Sequence, residues 1–201
     1  MTQAIGPDLK SLTKYSTIFN LGGTMSDLFD SVKGGQDFIQ KILSYVPGFK
    51  GYIERTQRRA ADKLLRDQVA LKYKELASRV SSMKKDFVDA GQFDFLEEVD
   101  SIHLRLMTFS DRIKNASYGY SGLFDTVKIN EKELEKLYAF DLAFFEIADQ
   151  ISSGLDNVAA GIGGEGLKAA LRSVDGLALL VGETYDKRYQ ILNNPEGSPQ
   201  S

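Results

Sequence analysis

Apolar residues that recur in alternating steps of four and three dominate this chain, and that spacing is typical of α-helices packed side by side. The longest such stripe predicts a helix from about Tyr52 to Val88, ended by Ala90-Gly91. It indicates a helix that packs lengthwise on its neighbours, as in coiled coils. No stretch alternates apolar and polar residues for long, so no strand is predicted. The stripe consists of Leu65, Val69, Tyr73, Leu76, Val80, Met83 and Phe87.

A second long helix is predicted directly after this one. Asp94, followed three residues later by Glu97, resembles a capping box, in which two side chains satisfy free backbone N–H groups at a helix start. We therefore expect the helix to begin at this pair. Its apolar stripe consists of Leu96, Val99, Ile102, Leu106, Phe109 and Ile113.

Two more long helices complete the set. The first, from Asn130 to about Leu155, is apolar on most sides, which is typical of the most buried helix of a bundle. The second, from about Gly166 to Leu192, has one apolar stripe. Gly176 and Gly182 lie within it; they would weaken it as an isolated helix but permit close approach of a neighbouring helix.

The expected fold is an all-α antiparallel bundle of four long helices with one or two short N-terminal helices. Residues 1–46 would form the short helices, one of them from Asp37 to Val46 and stopped by Pro47-Gly48. Residues 47–193 would form the bundle. The Pro/Gly/Ser-rich residues 194–201 read as a disordered tail.

Composition narrows the chemistry of the chain. Its 201 residues include no cysteine, which excludes disulfides and thiolate metal sites and favours a reducing cytoplasm. The first five residues lack the features of a signal peptide. No apolar stretch approaches the ~20 residues that span a bilayer. A cytoplasmic protein is therefore expected, with peripheral contact to a membrane as the alternative.

Charge is distributed unevenly along the chain. Residues 50–85 contain eleven Lys or Arg against four Asp or Glu, whereas residues 86–150 contain fourteen acids against six bases. The two blocks would either face each other inside the bundle or leave the basic block for an anionic partner. Because the charges nearly cancel, pairing inside the bundle is the preferred interpretation. Nucleic acid is not expected, since the pI is acidic and no recognition motif is present.

One short segment occurs twice. Residues 26–33 and 121–128 share six of eight positions, which indicates the same turn leading into a helix at two places. The second copy overlaps a Gly/Tyr turn, residues 118–125, rich in the amphipathic aromatics of contact surfaces. Three roles stay open for the segment: a plug of the local core, a protein contact, or shallow insertion into a membrane.

No catalytic, cofactor-binding or metal-ligating set is predicted. Asp100 and His103 share a helix face, and a metal site could be imagined from them with Glu131, Glu135, Asp141 or Glu146 of the buried helix. Di-metal bundles, however, use two histidines and this chain has one. Gly161 to Gly166 matches G-x-G-x-x-G without the preceding strand that a nucleotide site needs. Asp141, set among apolar residues, is expected either to be paired, with an arginine of the basic helix as the candidate partner, or to have a raised pKa.

Two stretches resemble an uncharacterised family of bacterial all-helical cytoplasmic proteins. The first is Pro47-Gly48-Phe49-Lys50-Gly51-Tyr52 with Arg55, Arg58-Arg59, Ala61-Asp62 and Leu64-Leu65-Arg66; the second is Tyr118 to Lys128 with Leu137-Tyr138 and Phe140-Asp141. The resemblance covers roughly residues 45–145. It implies a bacterial cytoplasmic origin, assigns no activity and transfers no catalytic residues.

These observations favour a non-enzymatic interaction or scaffold protein. It would bind a protein partner through the Gly/Tyr turn or through the basic helix, residues 50–85, and self-association is a further option. The alternatives are a peripheral factor on an anionic membrane surface and a metal-binding or enzymatic bundle. The predicted partner-binding residues are Tyr118, Tyr120, Leu123, Phe124, Arg55, Arg58 and Arg59.

Overall fold

A computed structural model of the chain describes residues 35–49, 58–116 and 131–193. These residues form five α-helices and one short 3-10 turn, with no strand among them, as the all-α prediction requires. None of the described helices is long and apolar enough to cross a membrane. The helices are α1 (Gly35–Tyr45), α2 (Arg58–Asp89), α3 (Leu96–Asn115), α4 (Glu131–Gly161) and α5 (Leu167–Asn193).

The chain divides into two compact units, Met1–Lys41 and Ile42–Ser201. Only residues 35–41 of the first unit are described, and they form the start of α1. The predicted first helix, the first copy of the repeat at residues 26–33 and the predicted tail at 194–201 lie outside the described residues. All further description concerns the second unit.

The turn between α2 and α3 follows from its glycine. Gly91 has a φ of 69°, in the left-handed region that favours glycine. The N–H of Gly91 donates to the carbonyl of Val88, and that of Gln92 donates to the carbonyl of Phe87. This pair of bonds is a Schellman motif, which satisfies the last carbonyls of α2. The predicted helix end at Ala90-Gly91 is confirmed.

The predicted capping box at Asp94 and Glu97 is wrong. A 3-10 turn, Phe93–Phe95, precedes α3, and the N-cap residue Phe95 makes no side-chain hydrogen bond. Because Phe95 has near-helical backbone angles, φ −98° and ψ −6°, the turn runs directly into α3. Asp94 therefore lies inside the turn, and its side chain does not cap the helix.

Helices α2 and α3 form a first hairpin, residues 58–115, and they run antiparallel. Ser110 Oγ of α3 donates to the carbonyl of Ala70 on α2 over 2.8 Å. Closer to the start of α3, His103 Nδ1 lies 2.9 Å from the carbonyl oxygen of Ala77. Because a carbonyl oxygen only accepts hydrogen bonds, this nitrogen carries the proton. The residue numbers rise on one helix as they fall on the other, which fixes the direction.

Helices α4 and α5 form a second antiparallel hairpin, residues 131–193. Asp141 of α4 binds Arg188 of α5, and further along Gly154 lies against Val174. The connection between the two helices turns at Gly163, whose φ is 80°. Residues 161–166 thus join two helices, which agrees with the absence of a nucleotide-binding strand before them.

The two hairpins pack so that parallel helices become neighbours. Tyr73 and Arg79 of α2 bind the carbonyls of Phe144 and Ser152 on α4, so that α2 and α4 run in the same direction. Helices α3 and α5 pair in the same way. The four neighbouring pairs are α2–α3, α4–α5, α2–α4 and α3–α5, which leaves α2 diagonal to α5 and α3 diagonal to α4.

The apolar stripes read from the sequence point inward. All seven stripe residues of α2 are buried, and so are those of α3 from Val99 to Ile113. Between Tyr138 and Ile151, α4 is buried on most of its circumference, as its composition predicts. The C-terminal end of α1 adds to this burial, because Tyr45 stacks on Phe145 with ring centroids 4.7 Å apart.

An aromatic cluster occupies the middle of the bundle and joins all four long helices. The ring of Phe109 lies 4.5 Å from Tyr73, 5.0 Å from Phe144 and 6.0 Å from Tyr185, measured between centroids. Tyr73 also donates its hydroxyl to the carbonyl of Phe144. Burial, followed by nearby Asp149, raises the pKa of Tyr73 well above its usual value of 10.0, so the hydroxyl stays protonated and keeps this bond.

The glycine that permits close helix packing is not one of those expected from the sequence. Among the described residues, no atom lies within 4 Å of a Cβ built on Gly176 or Gly182, so the expectation of a close neighbour there is wrong. A Cβ built on Gly154 of α4 would instead lie 2.7 Å from Cγ2 of Val174 on α5. Gly154 therefore sets the spacing within the second hairpin.

Alanine substitutions should affect stability in opposite directions at the tightly packed Gly154 and at the unpacked Gly176. We expect Gly154→Ala to lower the free energy of unfolding by about 1–3 kcal/mol, because the added methyl group overpacks the contact with Val174. Gly176→Ala, the matched control, should raise it by about 0.5–1 kcal/mol through helix propensity alone. Urea unfolding followed by circular dichroism measures both changes. Equal effects at the two positions would contradict the packing role of Gly154.

Candidate functional site

Four buried charged side chains meet near one end of the bundle. Asp62 and Arg66 lie one turn apart near the start of α2, Asp141 lies in the first half of α4, and Arg188 lies near the end of α5. All four residues are buried, and Asp141 and Arg188 have no exposed surface. We call these four residues the Asp–Arg network.

Arg188 is the centre of the Asp–Arg network. Its Nε donates to Oδ1 of Asp141 over 3.1 Å, and its Nη2 donates to Oδ1 of Asp62 over 3.1 Å and to Oδ2 of Asp141 over 3.4 Å. Arg66 Nε donates to the other oxygen of Asp62 over 2.9 Å. The fork of a guanidinium suits such multiple contacts with carboxylates. Two acids and two bases give the network no net formal charge.

Burial governs the ionisation of Asp141. It raises the pKa of this carboxyl group from 3.8 to about 6, while Arg188 lowers it and Asp62 raises it to smaller extents. The loss of hydration thus disfavours the charged carboxylate more than the attraction of Arg188 favours it. Among the described residues, no buried side-chain nitrogen or oxygen lacks a hydrogen-bond partner. The network is therefore fully bonded, and each member depends on the others.

The partner of Asp141 differs from the expected one. The sequence suggested an arginine of the basic helix, but Arg188 of α5 binds it, and Arg66 of the basic helix binds Asp62. Arg188 was missed, although it continues the apolar stripe through Val181 and Tyr185 at steps of four and three. A charged residue at a stripe position is the signal that would have found it.

Most of the described cations of the basic helix bind acids of the same chain. Lys72 pairs with Asp149 of α4 over 3.5 Å, and Arg79 pairs with Asp156 of α4 over 2.5 Å. Lys84 also pairs with Asp100 of α3. For these residues, the preferred interpretation of the charge blocks, pairing inside the bundle, is confirmed.

The predicted partner-binding residues lie at the edge of the described structure or beyond it. Arg58 and Arg59 open α2, but their side chains are outside the described residues, as is all of Arg55. The Gly/Tyr turn with Tyr118, Tyr120, Leu123 and Phe124, together with the second copy of the repeat, is also outside them. The segment that contains this turn joins Ala116 to Glu131, and both of these lie at the end of the bundle that holds the Asp–Arg network.

Asp100 and His103 are each engaged with α2. Lys84 binds the carboxylate of Asp100, and the ring of His103 bonds to the carbonyl of Ala77. The described part of the chain contains no group of three His, Cys, Asp or Glu side chains placed to hold a metal ion. Glu131 and Glu135 have undescribed side chains, and Asp141 belongs to the Asp–Arg network.

The fold and the Asp–Arg network define an all-α helical bundle with a buried ionic centre. The chain matches no protein-family model, no curated protein and no solved structure. The resemblance to a bacterial helical family through residues 45–145 therefore stays a prediction. Two of its quoted residues, Asp62 and Asp141, are the carboxylates that bind Arg188.

Removing the central arginine should strongly lower the stability of the fold. Arg188→Met leaves Asp62 and Asp141 buried without their shared cation, and we expect the free energy of unfolding near pH 7 to fall by about 3–5 kcal/mol. The matched control is Arg112→Met, because Arg112 pairs with Asp186 at the surface, and it should cost about 1 kcal/mol or less. Chemical denaturation compares the two variants. A loss at Arg188 no larger than that at Arg112 would refute a central role for the network.

Stability should rise on mild acidification. The folded protein binds a proton at Asp141 more tightly than the unfolded chain does, because its pKa is about 6 in the fold against 3.8. This contribution is complete below pH 3.8 and is lost as the pH rises through 6. We expect the free energy of unfolding to increase between pH 7 and pH 5 by about 1 kcal/mol. Asp141→Asn should flatten the profile, and an unchanged profile in this variant would assign the effect elsewhere.

Proposed function

We propose that this protein is a non-enzymatic interaction module that binds a protein partner at the end of the bundle where the Asp–Arg network lies. The contacts would come from the Gly/Tyr turn, residues 118–125, and from the arginines at the start of the basic helix, Arg55, Arg58 and Arg59. The single observation that carries this proposal is that α2 and α4 begin and α3 ends at this one end, so that residues 50–57 and 117–130 both attach to it.

The contrast between the two ends of the bundle supports the proposal. At the opposite end, the chain turns tightly at Gly91 and Gly163, and both connections are short. At the network end, longer segments join Phe49 to Arg58 and Ala116 to Glu131. Binding residues are found disproportionately on connecting segments that a rigid scaffold positions. The predicted contact residues all belong to these segments or border them.

The internal ion pairs narrow the part of the basic helix that would bind. Lys72, Arg79 and Lys84 each pair with an acid of another helix, so their charge is largely neutralised within the bundle. The proposed contact is therefore mainly with the basic residues that precede this paired region. Both predicted contact regions attach to the bundle at the same end, which supports their contact with one partner.

The Asp–Arg network supports the proposal as a rigid base. It ties α2, α4 and α5 together close to where both segments attach. A contact surface that is held rigidly loses less conformational entropy on binding, so it binds more tightly for the same contacts.

Capture from the native host tests the proposed surface. Tagged full-length protein carrying Tyr118→Ala and Tyr120→Ala should lose a partner that the unchanged protein retains, because aromatic anchors carry much of the energy of such contacts. The matched control is Phe93→Ala, which removes an aromatic ring that is 62% exposed at the opposite end. It should capture the partner normally. Circular dichroism should give equal helicity for all three proteins.

Two outcomes would contradict the proposal. If the partner is still captured by the double tyrosine variant, and also by the variant with Arg58→Glu and Arg59→Glu, it binds elsewhere on the molecule. If instead no protein is captured and the unchanged chain binds vesicles containing phosphatidylserine in a salt-sensitive way, the basic segment is a peripheral membrane contact.

A further inference from the structure

The ion pairs between the two hairpins follow one rule of polarity. On the seam between α2 and α4, Lys72 and Arg79 of the first hairpin bind Asp149 and Asp156 of the second. The bases are seven residues apart, and so are the acids, which places both pairs on one line two helical turns apart.

The seam between α3 and α5 repeats this arrangement. Arg105 and Arg112 of the first hairpin bind Asp175 and Asp186 of the second. All four pairs therefore put the base on the first hairpin and the acid on the second. Their side chains remain partly exposed to solvent, so each pair is worth little, about 0–1 kcal/mol, and is weakened by salt.

Each hairpin also contains contacts that salt does not screen. In the first hairpin, Ser110 and His103 bond to backbone carbonyls of α2. In the second, Gly154 lets α4 approach Val174 of α5 within van der Waals contact. Such contacts involve backbone atoms and tight packing, and unlike exposed ion pairs they are not screened by salt. Among the described exposed ion pairs that join two helices, four connect the hairpins and one, Lys84 with Asp100, lies inside the first hairpin. Salt-sensitive contacts are thus concentrated between the hairpins, beside the backbone bonds that Tyr73 and Arg79 make to α4.

Arg188 crosses between the hairpins. Within the described residues, its bond to Asp62 is the buried ion pair that joins the second hairpin to the first, and its polarity is the reverse of the four exposed pairs. Its bond to Asp141 stays inside the second hairpin. The sequence contains no cysteine, so no disulfide crosslinks the two hairpins.

We propose that the bundle opens between its two hairpins as preformed halves, with the Arg188–Asp62 bond as the latch and the four exposed ion pairs as a salt-sensitive seam. This inference does not depend on the proposed partner. Opening exposes the aromatic cluster between the halves, so the open state is a minor one at low salt. Loss of the latch or of the seam charges raises its population.

Thiol labelling of single introduced cysteines measures this opening. Ala148 is fully buried, and on α4 it lies midway between Phe144 and Ser152, whose carbonyls bind α2. Ala148→Cys therefore reports on the seam between the hairpins. Ala77→Cys is the matched control, because Ala77 is equally buried and its carbonyl binds His103 inside the first hairpin. The native sequence adds no thiol of its own.

Opening between halves predicts different rates for the two thiols. In the full-length protein without denaturant, we expect the cysteine at position 148 to react with a maleimide about tenfold faster than the one at position 77. Raising NaCl from low concentration to about 1 M should increase the rate at 148 and leave that at 77 unchanged.

The latch is tested by two matched substitutions. Asp62→Asn weakens the bond between the hairpins, and it should raise the labelling rate at position 148 by about tenfold. Asp141→Asn weakens the bond inside the second hairpin and should raise that rate clearly less than Asp62→Asn does. The salt experiment on the unchanged network gives an independent result if Asp62→Asn does not fold.

One set of results would overturn the proposal. If both thiols react at a common rate, which salt and Asp62→Asn change together, the bundle exposes its interior only by global unfolding. If Asp141→Asn accelerates labelling at 148 as much as Asp62→Asn does, the Arg188–Asp62 bond is not a latch.

Discussion

The arrangement of the bundle depends on a single buried guanidinium. Arg188 has no exposed surface, and a cation removed from water is tolerated only where carboxylates surround it. Asp141 and Asp62 supply these carboxylates, one from the same hairpin and one from the other. An apolar core attracts without direction, whereas this bonding pattern is met in one arrangement only. The ends of α2, α4 and α5 must therefore meet for Arg188 to be buried at all.

Ion pairs at the surface also join the two hairpins along the length of the bundle. In the sequence alone, the basic block, residues 50–85, resembles a binding surface for an anion. In the fold, bases of the first hairpin meet acids of the second along both seams, as with Lys72 and Asp149 or Arg105 and Asp175. Much of the positive charge on the described part of α2 is therefore used within the fold.

The two ends of the bundle are built differently. Tight turns at Gly91 and Gly163 close one end, while the Asp–Arg network holds together the end from which the longer segments leave. A rigid base beneath connecting segments favours recognition. The proposed opening instead depends on the one buried ion pair and the four exposed ones that join the hairpins beside their shared aromatic cluster. Both properties follow from placing the strongest directional contact at the network end.

The sequence by itself determined the helices, because their stripes and their terminal glycines are local properties; the end of α2 at Gly91 is an example. It also marked Asp141 as a buried charge. It did not reveal that Arg188 is its partner, that α2 runs parallel to α4, or that Gly154 is the close contact in place of Gly176. Those features were decided by the tertiary structure, because an apolar stripe specifies which face is buried but not which helix covers it or in which direction that helix runs.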